Sequence, residues 1–258
     1  MPDLIVERAD GVVRATLNRP DRKNAITLEL FDALRSLCDE VDANDADRAL
    51  VLKGVPGAFS SGADLGDRGG DGPAPGSPEA LERIHAAALA LHRMTKPSVA
   101  AVDGLAAGAG MSLALGCDIV IASTRARFSA IFVRRGLSID FGLSWLLPRI
   151  VGAAKAKELS LLGDFVDANE ALRIGLVSRV VNPDELDHAV EFVVHRVATG
   201  PTLAIRRDVE LLQASFARTF EEAIAAECEA QAANLQTDDA REAIAAFLEK
   251  RDAEFKGR

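Results

Sequence analysis

Two stretches of small residues set what chemistry this chain can do. Phe59 to Leu65 reads Phe-Ser-Ser-Gly-Ala-Asp-Leu, and Asp103 to Met111 reads Asp-Gly-Leu-Ala-Ala-Gly-Ala-Gly-Met. Each follows an apolar run that predicts a strand, Ala49 to Leu52 before the first and Ser98 to Val102 before the second. The second leads straight into a helical run, Met111 to Leu115. Small residues let a ligand come close to the backbone. A helix N-terminus presents unpaired N–H groups and a partial positive charge. Two such turns brought together would hold a developing oxyanion between two backbone donors.

The elements that must position these turns follow the hydrophobic pattern. Leu4 to Val6 and Val12 to Leu17 predict a β-hairpin about Asp10-Gly11. A basic, turn-rich loop from Asn18 to Asn24 follows, and then Thr27 as N-cap of a helix. That helix carries Leu30, Phe31, Leu34, Leu37, Cys38 and Val41 on one face. With the strand at Ala49 to Leu52 this makes a parallel pair with a right-handed crossover. Residues 66–78 hold five Gly and three Pro in thirteen, a composition that reads as a mobile loop, either an active-site lid or a plain insertion. A helix from Pro78 to about Met94 follows, with later strands at Ile119 to Ala122 and Ala126 to Phe128 and a loop from Gly136 to Trp145 that bends at Asp140 and Gly142. From Ala153 onward the pattern is mostly helical, broken at Gly200-Pro201, with amphipathic helices near Phe220 to Leu235 and Asp239 to Lys250.

Composition narrows the function classes. The chain has 258 residues, 48% of them hydrophobic, enough for a sizeable core. A net charge of −9 argues against non-specific binding to nucleic acid or an anionic membrane, and means that an anionic ligand needs a local basic patch. Cys38, Cys117 and Cys228 are widely spaced, so no disulfide framework and no metal site is expected; reduced thiols fit a cytoplasmic protein. The N-terminus has no signal-peptide pattern, and the longest uncharged apolar stretch is too short to span a bilayer.

The glycine-rich second stretch is not a dinucleotide fingerprint, because Leu113 stands where the third small residue belongs. Gly110-Met111-Ser112-Leu113-Ala114 approaches a nucleophile elbow, but His85, His92, His188 and His195 all lie in helical runs and supply no obvious partner.

Taken in order, these motifs resemble those of the crotonase family, the enoyl-CoA hydratase/isomerase superfamily. Phe59 to Leu65 is similar to its first signature. Lys96 to Gly104, with Gly108, Gly110, Cys117 and Asp118, is similar to its second. Gly136 to Arg149 and Ala171 to Val177 extend the likeness, which runs from Val12 to Arg258. The resemblance implies an α/β fold, a crotonase-like spiral of repeated ββα units with a C-terminal all-helical trimerisation region. It implies a core and acyl-CoA site over residues 1–200 and an oligomerisation region over residues 201–258. The assembly would be a homotrimer or a dimer of trimers. The ligand would be an acyl-CoA thioester, with coenzyme A as part of the substrate and no separate cofactor or metal. The oxyanion donors would be the N–H groups of Ala63 and Ala109. Lys23 and Arg22 would meet the CoA phosphates, and Ser61, Asp64, Leu65, Gly108, Gly110, Phe132 and Trp145 are further candidates for substrate contact. Asp64 also suits a turn cap, Trp145 and Phe128 suit a core, and Phe247 a core or an interface.

The chain departs from the family in its acid–base groups. Hydratases of the family use two glutamates, and here Ser112 and Phe132 stand at the corresponding positions. Hydration needs one group to activate water and one to deliver a proton. Asp140 resembles the acidic position of dehalogenase-type and isomerase-type members. One carboxylate suffices for a 1,3-proton shift, and apolar neighbours Ile139, Phe141 and Trp145 would raise its pKa toward that task. The structural alternative for Asp140 is a helix N-cap. Three functions stand open at this point: an isomerase using Asp140, a hydratase or other crotonase reaction using Asp140, and a non-catalytic acyl-CoA-binding trimer.

Overall fold

The computed structural model describes residues 2–66, 73–74 and 76–258. The loop expected over residues 66–78, read as an active-site lid or a plain insertion, falls largely outside the described residues. The chain opens with an antiparallel hairpin, β1 (Leu4–Ala9) and β2 (Val12–Leu17). Helix α1 (Leu28–Ala43) begins where the Thr27 hydroxyl accepts the Leu30 N–H at 3.2 Å. All six apolar residues expected on its inner face are buried. Strand β3 (Ala49–Gly54) then pairs parallel with β2, as the crossover requires.

From here the chain repeats one operation. Strand β3 lies in a large sheet and is followed by a short strand, β4 (Ala58–Ser60), in a second sheet, then by helix α2 (Pro78–Arg93). Strand β5 (Ser98–Val102) returns to the large sheet, β6 (Leu105–Ala107) to the small one, and helix α3 (Ala109–Leu115) follows. Strands β7 (Ile119–Ser123) and β8 (Arg127–Ser129) do the same, a single-turn helix over Ile131–Arg135 intervenes, and helix α4 (Leu143–Val151) completes the third unit. This is the expected spiral of ββα units. It continues through α5 (Ala153–Leu162), β9 (Val166–Asp167), α6 (Ala168–Arg173) and β10 (Arg179–Val181) to α7 (Leu186–Ala198). The large sheet runs β1-β2-β3-β5-β7-β10 and the small one β4-β6-β8-β9.

Strand alternation builds the core on both faces of the large sheet. Val13, Ala15, Leu17, Leu50, Leu52, Ala100 and Val102 face α1, α2 and the small sheet, while Val12, Val51, Val99, Ala101 and Ile121 face Leu186, Val190 and Val194 of α7. Helices α8 (Thr202–Ala214), α9 (Phe220–Asn234) and α10 (Asp238–Glu249) close the chain. Among the described residues no helix is long and apolar enough to cross a membrane.

Four expectations are corrected. The strands that feed the two small-residue turns are β4 and β6, not the longer runs before them; three-residue strands of small side chains leave no periodicity to read. The region after Ala153 is not purely helical, since β9 and β10 lie in it and β10 adds the edge of the large sheet. Trp145 sits inside α4 rather than in a loop, and it is 38% exposed, not core. Phe247 is 81% exposed, so the core reading fails for it as well.

Candidate active site

The topology explains why the two small-residue turns meet. Strands β4, β6 and β8 are parallel neighbours, β4 beside β6 and β6 beside β8. Their C-terminal ends therefore open on the same side, the usual place for a ligand in a parallel sheet. The end of β4 delivers Ser61 to Leu65. The end of β6 delivers Gly108 and Ala109. The end of β8 delivers the helical turn that carries Phe132. A Cβ placed on Gly62 would lie 2.8 Å from the Ala107 carbonyl oxygen and 3.3 Å from the Ala109 nitrogen, and one on Gly110 would lie 2.5 Å from the Ser60 carbonyl oxygen. Glycine at these two positions lets the turns touch through their backbones.

Several N–H groups at these turns have no acceptor among the described residues, and Ala63 and Ala109 are among them. In the first turn Ser61 donates to Lys23 O (3.0 Å), Gly62 to Ser60 Oγ (3.1 Å), Asp64 to Ile26 O (2.9 Å) and Gly66 to Asp64 Oδ1 (3.1 Å). The Ala63 N–H between them has no acceptor among the described residues. In the second turn Gly108 donates to Ser129 O at 3.0 Å, and Ala109, the first residue of α3, has no intrahelical acceptor. The N–H groups of Ala63 and Ala109, the donors expected from the sequence, are both without an acceptor among the described residues, on two turns in close contact.

The first turn is stitched to the basic loop. Ser60 Oγ donates to Asn24 O (2.8 Å), Ser61 Oγ to Arg22 O (3.2 Å), and Ile26 N–H to Gly62 O (2.9 Å). Ser61 therefore turns its hydroxyl to the loop. Arg22 and Lys23 are exposed at the rim, and Lys23 is left-handed with φ 51°. Leu65 is 62% exposed at the end of the described turn.

Arg19, which the sequence reading passes over as part of a basic loop, clamps this turn. Its Nη1 donates to Ala25 O (2.6 Å) and to Asp64 Oδ2 (2.9 Å), and its Nε pairs with Asp3 at 3.2 Å. Burial raises the Asp64 carboxyl, but the bonds from Arg19 and the Gly66 N–H outweigh it and hold the group below its ordinary value. Asp64 is a turn clasp occupied by Arg19. Arg19→Met is expected to lower stability at neutral pH by about 1.5–3 kcal/mol, the worth of charged hydrogen bonds. Because the folded Asp64 pKa is depressed, the Asp64 part of that difference is complete above the ordinary carboxylate range and is lost as pH falls through the folded value, while the bond to the Ala25 carbonyl remains. Urea unfolding of both chains near pH 7 and near pH 3 checks it.

Asp140 lies on the loop that precedes α4. Its loop returns over α3, where Ser112 Oγ donates to the Asp140 carbonyl at 3.2 Å, one helical turn from Ala109. Asp140 does not cap α4: Gly142 is the N-cap residue and no side chain bonds the cap. Its Oδ1 is buried and has no hydrogen-bond partner among the described residues. Burial pushes its carboxyl above the ordinary value, opposed by the charge of His85 on α2. Phe141 supplies the apolar wall, buried with its ring 5.6 Å from that of Phe31, and Ile139 packs on the same core. Trp145 does not share that role. Its ring meets His92 at 5.0 Å and Phe216 at 6.5 Å, with the Arg149 guanidinium 3.9 Å over it. Phe132 is buried, and its ring tip lies 3.9 Å from where a Gly108 Cβ would stand. It walls the second turn with a group that carries no proton.

The family model described as enoyl-CoA hydratase/isomerase matches residues 7–258. The 1,2-epoxyphenylacetyl-CoA isomerase of Escherichia coli (strain K12) is 37% identical over 251 residues, covering 96% of each chain. The short-chain-enoyl-CoA hydratase of Clostridium acetobutylicum is 31% identical over 267 residues, covering 99% of this chain and 98% of that one. The crystal structure of an enoyl-CoA hydratase from Mycobacterium smegmatis superposes with a TM-score of 0.92 at 32% identity and 99% coverage of both chains.

Proposed function

The chain belongs to the enoyl-CoA hydratase/isomerase family, as an enzyme of acyl-CoA thioesters, and from that premise we propose double-bond isomerisation with Asp140 as the single acid/base. The observation that carries the reading is Asp140 Oδ1, buried and unpartnered among the described residues, on a loop tied to the helix that begins at Ala109. An unsatisfied buried carboxyl is costly, and its use is to exchange a proton with a bound ligand. The thioester oxygen lies between the N–H groups of Ala63 and Ala109. Asp140 removes a proton from one carbon of the enoyl chain, the two N–H groups hold the dienolate oxygen, and the carboxylic acid returns the proton two carbons away. The raised pKa makes the carboxylate a stronger base than an exposed aspartate.

Hydration by the paired-carboxylate route lacks its second group. Phe132 has no proton chemistry and Ser112 is a poor base near neutrality. The isomerase name of the Escherichia coli relative favours the same direction. Lys23 and Arg22 supply positive charge at the rim for the CoA phosphates, which the net charge of −9 otherwise disfavours. No separate cofactor is required. The exposed apolar side chains of the C-terminal helices, among them Leu212, Phe216, Phe220, Ile244, Phe247 and Leu248, support residues 201–258 as the surface that assembles a trimer or a pair of trimers. The unpaired cysteines suit the cytoplasm.

The test is a panel of 2-enoyl- and 3-enoyl-CoA esters in D₂O, followed by NMR and by absorbance of the conjugated thioester. Migration of the double bond with deuterium entering the chain is the expected result. Addition of water without migration would overturn it in favour of a hydratase.

A further inference from the structure

We propose that Ser112 is a positioning residue for Asp140, its hydroxyl joining the turn that offers the Ala109 N–H to the loop that carries the carboxylate. The inference rests on the isomerase reading above. Ser112 is fully buried in α3, with its Oγ 3.3 Å from Gly108 O and 3.2 Å from Asp140 O. The first contact is local and redundant, since the Ser112 N–H already donates to Gly108 O at 3.0 Å. The second spans 28 residues and has no local reason to exist.

The loop needs such a tie. Asp140 O also accepts the Leu143 N–H at 3.0 Å, closing a turn whose two central residues, Phe141 (φ 51°) and Gly142 (φ 77°), are both left-handed. A bulky residue in that region is strained and persists only where the surroundings hold it. The Phe141 ring is anchored in the core on one side, and the Ser112 hydroxyl holds the carbonyl on the other. Asp140 Oδ1 has no hydrogen-bond partner among the described residues to fix it. Its placement comes from its own backbone, which the Phe141 ring, the Leu143 N–H and the Ser112 hydroxyl hold together.

The test uses the full chain as wild type, Ser112→Ala, Ser112→Thr and Asp140→Asn. Amide hydrogen exchange at Leu143 reads the loop without any assay. Isomerase kinetics read the site. In Ser112→Ala, exchange at Leu143 is expected to quicken about tenfold and kcat to fall about tenfold, the loss of one neutral hydrogen bond. KM is expected to stay within about twofold and exchange elsewhere in the core to stay unchanged. Threonine, which keeps the hydroxyl, restores kcat to within about threefold; if that chain does not fold, the Leu143 amide in Ser112→Ala decides alone. Unchanged exchange and unchanged kcat in Ser112→Ala would overturn the inference. So would a loss of kcat that comes only with a general loss of protection. If instead Asp140→Asn turns over like wild type, the isomerase reading has failed, and with it the catalytic meaning of Ser112, even where the loop loosens.

Discussion

Asp140→Asn is expected to lose about 10²–10⁴-fold in isomerase turnover, the usual worth of a positioned acid or base, while acyl-CoA esters still bind. The amide keeps the shape of the carboxylate and cannot carry the proton between carbons. The oxyanion turns are untouched, so calorimetry with a saturated acyl-CoA should give a dissociation constant within a few-fold of wild type. The same variant is expected to be more stable than wild type. Asp140 Oδ1 is buried without a partner among the described residues, and burial holds the carboxyl above its ordinary value. Ionised Asp140 therefore costs folding free energy, and a neutral amide costs less. The sign follows from proton linkage. The folded state binds the proton more tightly than the unfolded chain, so stability rises as pH falls through the folded pKa, and the penalty vanishes below the ordinary carboxylate value of about 3.9. The melting temperature of Asp140→Asn should exceed that of wild type near pH 8, by the equivalent of about 1 kcal/mol, and the curves should converge near pH 4. A variant that loses turnover and gains stability only at high pH has lost a functional carboxylate. One that loses both has lost a structural group.

The division between what the residues reveal and what they hide follows from how information is stored. The helix from Leu28 is readable because six apolar residues repeat at helical spacing behind a Thr27 cap. The two small-residue turns are readable because their glycines and alanines are unusual in composition and follow apolar runs. The strands that place those turns side by side are not readable. Ala58–Ser60 and Leu105–Ala107 are three residues each and gain their identity only from parallel pairing with each other. Arg19 is hidden for a different reason. Its three acceptors, on Asp3, Ala25 and Asp64, are distant or on the backbone, and an arginine in a basic loop carries no local mark of such a clamp. Trp145 misleads because its nearness to Asp140 in sequence suggests a shared pocket, whereas α4 begins at Leu143 and turns the ring toward His92, Arg149 and Phe216. The Asp140 and Ser112 contact joins residues 28 apart, so no local pattern announces it.

Gly62→Ala is expected to lower kcat/KM by about 10²–10³-fold, the cost of losing one oxyanion donor. The added Cβ would stand 2.8 Å from Ala107 O and 3.3 Å from the Ala109 nitrogen. Both neighbours are backbone, so neither can move aside without moving the turn. The first turn must back away from the second, and the N–H groups of Ala63 and Ala109 no longer converge on one oxygen. Gly62 also has φ 101°, a conformation that strains any L residue by about 1–3 kcal/mol, so some stability is lost with the activity. Gly57→Ala separates the two effects. Gly57 has φ 111°, and a Cβ there meets nothing within 4 Å. It carries the same backbone strain without the collision. Gly57→Ala should therefore lose stability and keep its kcat/KM within a few-fold, whereas Gly62→Ala should lose both at temperatures where each chain is fully folded. Equal activity loss in the two variants would trace the effect to strain alone and remove the convergence of the two turns from the catalytic account. A selective loss at Gly62 would make the contact between two backbone turns, rather than any side chain, the device that stabilises the enolate.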